Sequence, residues 1–278
     1  MIFKLYLQKL SSVSLTVMFV MASAATTAQV YNDSGTIRVM NGSSLVSLGN
    51  FTNEFGTVTN DGKIEVQGNF TNKRIYNSVN NQDSLLLSGQ RTVTLLTGAV
   101  PINNLAVNKT DGGGVTLIAT TTINSSLSLL KGSFSTNPEK AYELIAPASA
   151  AFTFGPGTEI AGKVRRTNLL NGIPVIFNQA NMSVTIKGGV PPATLLVNMV
   201  PGANPTLSGR EVKRYFRFSP TGGTNYTADI TFPYNIAELN SNSEANLVGW
   251  YNDGTGNWKQ KLTGNDWPGI LGAGTGIP

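Results

Sequence analysis

The chain of 278 residues contains no cysteine and no histidine. Without cysteine there can be no disulfides, thiolate nucleophiles, iron–sulfur clusters or cysteine-ligated zinc. Without histidine there is no Ser-His-Asp triad, and the commonest general base is missing. Chemistry would have to rely on carboxylates, on Lys or Tyr bases, or on metals with oxygen ligands such as Ca²⁺. We therefore predict a protein that is not an enzyme and that needs no cofactor.

Charged residues are scarce as well, at 13% of the chain against about 25% in average proteins. The formal net charge is +5, and two of the basic residues, Lys4 and Lys9, lie in a segment that we expect to be removed. The small remaining basic excess does not favour nucleic acid as a partner. No apolar stripe with helical spacing and useful length follows residue 30, so the sequence predicts an all-β protein.

The N-terminus has the three-part pattern of a secretory signal peptide. A basic start is followed by an apolar run over 13–24 and by small residues that make cleavage fit after Ala24 or after Ala28. The run is shorter than the roughly 20 residues that a membrane-spanning helix needs. We expect residues 1–28 to be a signal peptide and the mature chain to be exported, to the extracellular space or the outer cell surface, with no transmembrane anchor.

The strongest internal signal is the pentapeptide GNFTN, which begins at Gly49 and again 19 residues later at Gly68. Apolar-x-apolar triplets such as Ile64/Val66 recur after Asn, Asp and Gly turns, as short strands with regular turns do. A period near 20 is typical of a β-solenoid, because stacking buries apolar pairs that one coil cannot bury alone. We predict a parallel β-helix-like solenoid over 29–145, with asparagines that stack as ladders. An antiparallel sandwich with a coincidental repeat is the alternative.

The second half of the chain has a different character. Residues 146–161 are rich in Ala, Gly and Pro and are predicted to be a linker or the last coil. Longer strands follow, and they indicate an antiparallel β-sandwich-like domain over 162–278. Its Gly-rich end does not complete a strand pattern, so we expect either a flexible tail or a domain truncated at its C-terminus.

Two groups of residues are candidates for ligand contact. Trp250, Tyr251 and Trp258 flank a predicted hairpin turn and could form a platform for sugar stacking, or a cross-strand aromatic group that covers the core. The turn itself lacks the acidic partners of a Ca²⁺ loop, so no metal site is predicted.

Lys163, Arg165 and Arg166 form the only tight basic cluster and could contact a polyanion such as an acidic polysaccharide. Adjacent strand residues point to opposite faces, however, so Arg165 and Arg166 do not form one patch. The alternative is that these charges are solvated and protect a sheet edge.

The candidate catalytic carboxylates are sparse. Asp61 and Glu65 would lie about 13 Å apart along an extended strand. That separation exceeds the carboxylate spacing of both retaining and inverting glycosidases. A turn at Gly62 could shorten the distance, so the alternative of a β-helix polysaccharide lyase or hydrolase stays open.

The chain resembles the secreted, repeat-containing surface proteins of the Bacteroidota. The resemblance is carried by the doubled GNFTN, by the strand patterns of 102–134, and by the segments 162–166, 212–216 and 247–251. It implies a β-rich protein of the cell exterior, often exported by the type IX system and ending in a C-terminal sorting module that is not seen in this sequence. The family has no shared active site, so the resemblance assigns no site residue.

Together these features predict a non-enzymatic secreted or cell-surface structural or adhesive protein, with a solenoid stalk and a β-sandwich cap. The expected partners are a glycan or a surface protein, and exposed coil ends would permit end-to-end self-association. The alternative from another functional class is an extracellular polysaccharide-binding module.

Overall fold

The computed structural model describes residues 28–78, 82–137, 139–203, 211–243, 247, 249–252 and 258–261. The regular elements of these residues are strands, apart from one short 3₁₀ helix at Ile236–Glu238, so the all-β prediction is confirmed. No helix in this described part is long and apolar enough to cross a membrane. The chain divides into two compact units, one formed by residues up to 135 with 153–158, the other by 136–152 and residues from 159 onward.

The first unit is a parallel β-solenoid in which successive coils add one strand to each of several sheets. Its first sheet stacks β1 (Val30–Asn32), β4 (Phe51–Asn53), β7 (Phe70–Asn72), β10 (Val93–Leu96), β12 (Gly114–Leu117) and β14 (Ser133–Ser135) in that order. The second sheet stacks β2 (Thr36–Val39), β5 (Thr57–Asn60) and β8 (Ile75–Ser78). The third stacks β3 (Ser44–Ser47), β6 (Lys63–Val66), β9 (Ser84–Gly89), β11 (Ile102–Lys109) and β13 (Thr121–Lys131). The prediction of a solenoid is thereby confirmed for this unit.

The repeat sets the register between coils. Phe51 of β4 pairs with Phe70 of β7, so the two GNFTN copies lie directly above one another. Their rings stack with centroids 5.1 Å apart inside the solenoid. Tight stacking also explains Gly62, where a Cβ would overlap the backbone carbonyls of Met40 and Ser43 in the coil below.

The predicted apolar-x-apolar triplets point inward and build the core. Both apolar members are buried in the following pairs: Ile64/Val66, Leu85/Leu87, Val93/Leu95, Leu105/Val107, Val115/Leu117 and Leu127/Leu129. Each coil therefore contributes apolar side chains that only the neighbouring coils can cover, which is the main source of stability in a stacked repeat.

An asparagine ladder runs through the interior beside the aromatic stack. Asn32 donates through Nδ2 to Oδ1 of Asn53 at 2.9 Å, and Asn53 donates to Oδ1 of Asn72 at 2.6 Å. Asn72 in turn donates to the carbonyl oxygen of Thr97 in the next coil. Because all four residues are buried, these bonds satisfy polar groups that would otherwise be costly to remove from water.

The second unit is mainly antiparallel. In one sheet, β15 (Leu144–Pro147) pairs in parallel with β17 (Ile160–Thr167). The other edge of β17 pairs antiparallel with β20 (Thr194–Pro201), which in turn pairs antiparallel with β21 (Arg214–Thr221). A smaller antiparallel sheet contains β18 (Pro174–Ile176), β19 (Ser183–Lys187) and β22 (Thr227–Thr231). A hairpin is formed by β23 (Gly249–Asn252) and β24 (Trp258–Lys261), while β16 (Ala151–Phe154) crosses the boundary between the units. The sandwich arrangement itself stays a prediction.

Candidate functional site

The predicted basic cluster lies on β17, where alternation sends its members to different surroundings. Lys163 and Arg165 are half-buried on one face, and Arg166 is buried on the other. Arg165 forms a bidentate ion pair with Glu143, at 2.6 and 2.9 Å, and Nη1 also donates to Thr194. Hydrogen bonds from Arg165 to Glu143 raise the pKa of the guanidinium. A polyanion would have to compete with Glu143 for Arg165.

Arg166 is the largest fully buried side chain in the described residues, with 1% of its surface exposed. Its Nη2 donates to the carbonyl oxygens of Ala148 and Ala150, and its guanidinium carbon lies 4.0 Å from the ring centroid of Phe152. The atoms Nε and Nη1 are buried without a hydrogen-bond partner. Burial lowers the pKa of Arg166 to about 10. These contacts fix residues 148–152 over β17.

The predicted aromatic platform falls on the β23–β24 hairpin. The register pairs Trp258 with Asn252 and Trp250 with Gln260, so the two tryptophans occupy diagonal rather than directly opposite positions. Tyr251 pairs with Lys259. The turn at 253–257, including the loop considered for Ca²⁺, lies outside the described residues. Sugar stacking by these three residues stays a prediction.

The two candidate carboxylates of the first unit have different environments. Glu65 faces outward from β6 and accepts hydrogen bonds from Lys63 and Ser88, both at 2.8 Å. Burial acts to raise the pKa of Glu65, but these bonds outweigh it and hold the pKa below its ordinary value. Asp61 is buried in the corner before β6, with Oδ2 3.6 Å from Nη2 of Arg38 and Oδ1 without a partner.

A buried network that sequence analysis did not anticipate surrounds Asp83. Oδ1 of Asp83 accepts from Nδ2 of Asn103 at 2.8 Å, and Oδ2 accepts from the Ser78 hydroxyl. Asn124 of the next coil donates to Oδ1 of Asn103 and extends the chain of bonds. Burial raises the pKa of Asp83, and the nearby charge of Asp61 acts in the same direction.

Lys109 is a second buried ionisable group that was not anticipated. Its Nζ donates to the backbone carbonyl oxygens of Gln67, at 3.1 Å, and Ser88, which belong to two successive coils. Burial lowers the pKa of the amine to about 8. The inward alternation of Leu105, Val107 and Lys109 was a signal for this burial, since residues two apart share a face of a strand.

These ionisable groups are engaged in holding coils and loops together. Asp83 joins neighbouring coils, Lys109 caps carbonyl groups at the ends of stacked strands, and Arg165 pairs with Glu143. In the described residues there is no group of three or more Asp or Glu side chains placed to hold a metal ion. Chemically, these side chains replace water as the hydrogen-bond partners of buried polar atoms.

Comparisons of the chain with protein-family models, with curated proteins and with solved structures gave no match.

Proposed function

We propose that this chain is an exported, non-enzymatic structural or adhesive protein whose solenoid acts as a rigid spacer at the cell surface. The observation that carries the proposal is the internal ladder Asn32–Asn53–Asn72, which ties successive coils together by side-chain hydrogen bonds as well as by strand pairing. A β-solenoid is a suitable spacer because each coil contacts its neighbours over the whole cross-section. The low charge and the signal-peptide pattern support export and an extracellular setting.

The export part of the proposal is tested by expressing the full-length chain with a C-terminal tag in a Bacteroidota host. We expect the tagged protein in the outer-membrane or culture-supernatant fraction, with a new N-terminus at residue 25 or 29 by mass spectrometry. Protein that keeps residues 1–28 and stays in the cytoplasm would overturn the proposal. A variant with Val17→Arg and Phe19→Arg, which breaks the apolar run, is the matched control and should remain inside the cell.

The mechanical part is tested by pulling the folded chain between its termini with an atomic force microscope. A spacer should give reproducible unfolding peaks from the first unit, and the variant Asn53→Ala should lower their force because it interrupts the ladder. Extension of the solenoid without any resolved force peak would contradict a role as a rigid spacer.

End-to-end association is a second property that the first coil favours. Among the described strands, β1, β2 and β3 are each the terminal strand of their sheet, so each leaves one edge unpaired. Unpaired edges that lack charged or proline residues template the addition of further strands, and Arg38 is the only charged residue in these three strands. We expect the apparent molecular mass in analytical ultracentrifugation to increase with protein concentration. The substitution Val46→Lys in β3 should suppress this increase. A protein that stays strictly monomeric at high concentration would contradict end-to-end association.

The enzymatic alternative rests on carboxylates that are already engaged or buried, namely Glu65, Asp61 and Asp83. We expect no release of reducing ends or unsaturated products from a panel of glycans. Turnover that is abolished by Asp61→Asn would replace the structural proposal with the enzymatic one.

A further inference from the structure

The outer face of the first sheet of the solenoid is free of charge. None of the twenty residues in its six strands, β1, β4, β7, β10, β12 and β14, is Asp, Glu, Lys or Arg. We call the outward residues of these strands, together with the residues just before β4 and β7, the uncharged face. It consists of two rows along the stacking direction: Tyr31, Thr52, Thr71 and Leu96 in one, and Asn50, Asn69, Thr94 and Thr116 in the other.

The asparagines of the second row are held in fixed positions by the backbone of the next coil. Oδ1 of Asn50 accepts from the backbone N–H of Asn69 at 2.9 Å, and Oδ1 of Asn69 accepts from the backbone N–H of Thr94 at 2.9 Å. Each amide oxygen is thereby used, and the amide Nδ2 has no partner in the described residues. The row therefore presents oriented hydrogen-bond donors, then the hydroxyl groups of Thr94 and Thr116, at the strand spacing of about 4.8 Å.

The first row adds apolar and aromatic surface. Tyr31 lies at one end with 38% of its surface exposed, and Thr52 and Thr71 follow it directly in the register. Leu96 continues the row in the next coil. An aromatic ring beside ordered donors and hydroxyl groups matches a sugar ring, which has an apolar C–H face and hydroxyl groups at its rim.

Charge around the face argues against an ionic ligand. The ion pair between Lys73 and Glu54, 2.7 Å apart, lies directly after β4 and β7 and neutralises both charges. The other exposed charges beside the ends of these strands are of both signs and are spread over different coils: Asp33, Arg74, Arg91 and Lys131. A polyanion would gain little from such a surface, because its binding depends on several cations that release counterions.

We propose that the uncharged face binds a neutral, linear polysaccharide that lies along the stacking direction, with Tyr31 stacked on a sugar ring and the Asn50–Asn69 row bonded to its hydroxyl groups. This inference extends the proposed adhesive role and rests on it only for access to glycans outside the cell. Binding is measured with purified protein, so a failure of binding is distinguishable from a failure of export.

The test uses the purified full chain with insoluble cellulose and chitin in pull-down assays and with a soluble neutral β-glucan in affinity electrophoresis. Polygalacturonate serves as the acidic comparison. The face variant is Thr52→Lys with Thr71→Lys, and the matched control is Thr36→Lys with Ser44→Lys, which adds the same two charges to exposed positions of the second and third sheets. A third variant is Tyr31→Ala. Thermal melts establish that each variant is folded.

We expect retention of the parent on at least one neutral polysaccharide, with little change on raising the salt concentration. The face variant should weaken binding at least about tenfold, and Tyr31→Ala about threefold to tenfold, as expected for loss of an aromatic contact. The control should stay within about twofold of the parent. The proposal is overturned if no neutral polysaccharide retains the parent, if the control loses as much binding as the face variant, or if only polygalacturonate binds in a salt-sensitive manner.

Discussion

At the scale of single residues, the interior of the solenoid depends on polar side chains whose partners come from other coils. Asn53 donates to Asn72 and to the carbonyl oxygen of Ile75, and accepts from Asn32. A buried polar group that loses its partner costs about 1–3 kcal/mol. The ladder is therefore sensitive to the loss of any one of its members.

We predict that Asn53→Ala lowers the free energy of unfolding by about 1–3 kcal/mol, because it leaves Oδ1 of Asn72 without a donor and removes one of the acceptors of Asn32 Nδ2. Urea denaturation followed by circular dichroism measures this change. Thr52→Ala, on the outward side of the same strand, is the control and should change stability by less than about 0.5 kcal/mol. Equal effects of the two substitutions would show that the ladder does not contribute to stability.

The buried carboxylate of Asp83 predicts a pH dependence. Burial and the Asp61 charge hold its pKa above the ordinary value of 3.8, so the folded state keeps a proton that the unfolded chain has released. Ionisation of Asp83 therefore costs stability as pH rises from about 4 through the folded pKa. Asp83→Asn removes this cost, and the Ser78 hydroxyl can turn to accept from the new amide. We expect the difference in melting temperature between Asp83→Asn and the parent to shift in favour of the variant as the pH is raised from 4 to 7.

Glu65 provides a control for which the expected pH dependence of stability has the opposite sign. Its pKa is lowered in the folded state, so its ionised form stabilises the fold at neutral pH and that contribution is lost as pH falls through the folded pKa. Glu65→Gln should therefore melt below the parent at pH 7, with the difference shrinking toward pH 3. Parallel curves for parent and both variants would show that neither carboxylate is perturbed.

At the scale of elements, each strand owes its place to inward residues that stack on equivalent residues of adjacent coils. Phe70 of β7 contacts Phe51 face to face and Tyr76 edge to face, with centroids 5.1 and 6.1 Å apart. One ring therefore links the first and second sheets as well as two successive coils.

Phe70→Ala should cost about 3–5 kcal/mol, the usual range for removal of a buried phenylalanine. Phe55→Ala is the matched control, since Phe55 has 59% of its surface exposed and contacts Arg74. It should change the free energy of unfolding by less than about 1 kcal/mol. Chemical denaturation of both variants gives the comparison, and a loss below about 1 kcal/mol for Phe70→Ala would contradict stacking across coils.

At the scale of elements, sequence patterns were sufficient to predict some strands but not the roles of the corner residues between them. The strands of the first unit were predictable because their apolar pairs alternate with a period of two and recur with the turns. The roles of the corner residues were harder to predict from the sequence. Asn32 belongs to the ladder although its triplet reads Val-Tyr-Asn rather than Phe-Thr-Asn, and only the pairing of Val30 with Phe51 makes the equivalence plain.

At the scale of the whole molecule, the first unit is a stack of coils, so we expect that one coil can be removed without loss of the fold. Residues 49–67 form one full repeat, and after their deletion Gly68 takes the place of Gly49. Val30 would then pair with Phe70, and Asn32 would donate to Asn72. The apolar pair of β9, Leu85 and Leu87, would take the place of Ile64 and Val66 against β3, whereas the ring stack between Phe51 and Phe70 would be lost.

We predict that deletion of 49–67 gives a folded protein with an unchanged type of circular dichroism spectrum and a lower melting temperature, since one interface between coils is lost. Deletion of 51–60, which removes about half a coil, is the control and should misfold, because the following strands lose their register. Misfolding of both deletions to the same extent would argue that the coils are not equivalent units.

The sequence by itself determined the all-β class, the solenoid of the first half and the inward position of its apolar pairs. These features follow from short-range periodicity, which each segment carries independently of its surroundings. It also placed Arg165 and Arg166 on opposite faces, from alternation alone. Only the tertiary structure decided which polar residues are buried and what satisfies them. Most partners of Asp83, Lys109 and the asparagine ladder come from other coils, 19 to 42 residues away along the chain. The free energy of burying a polar atom is set by whether such a partner is within hydrogen-bond distance.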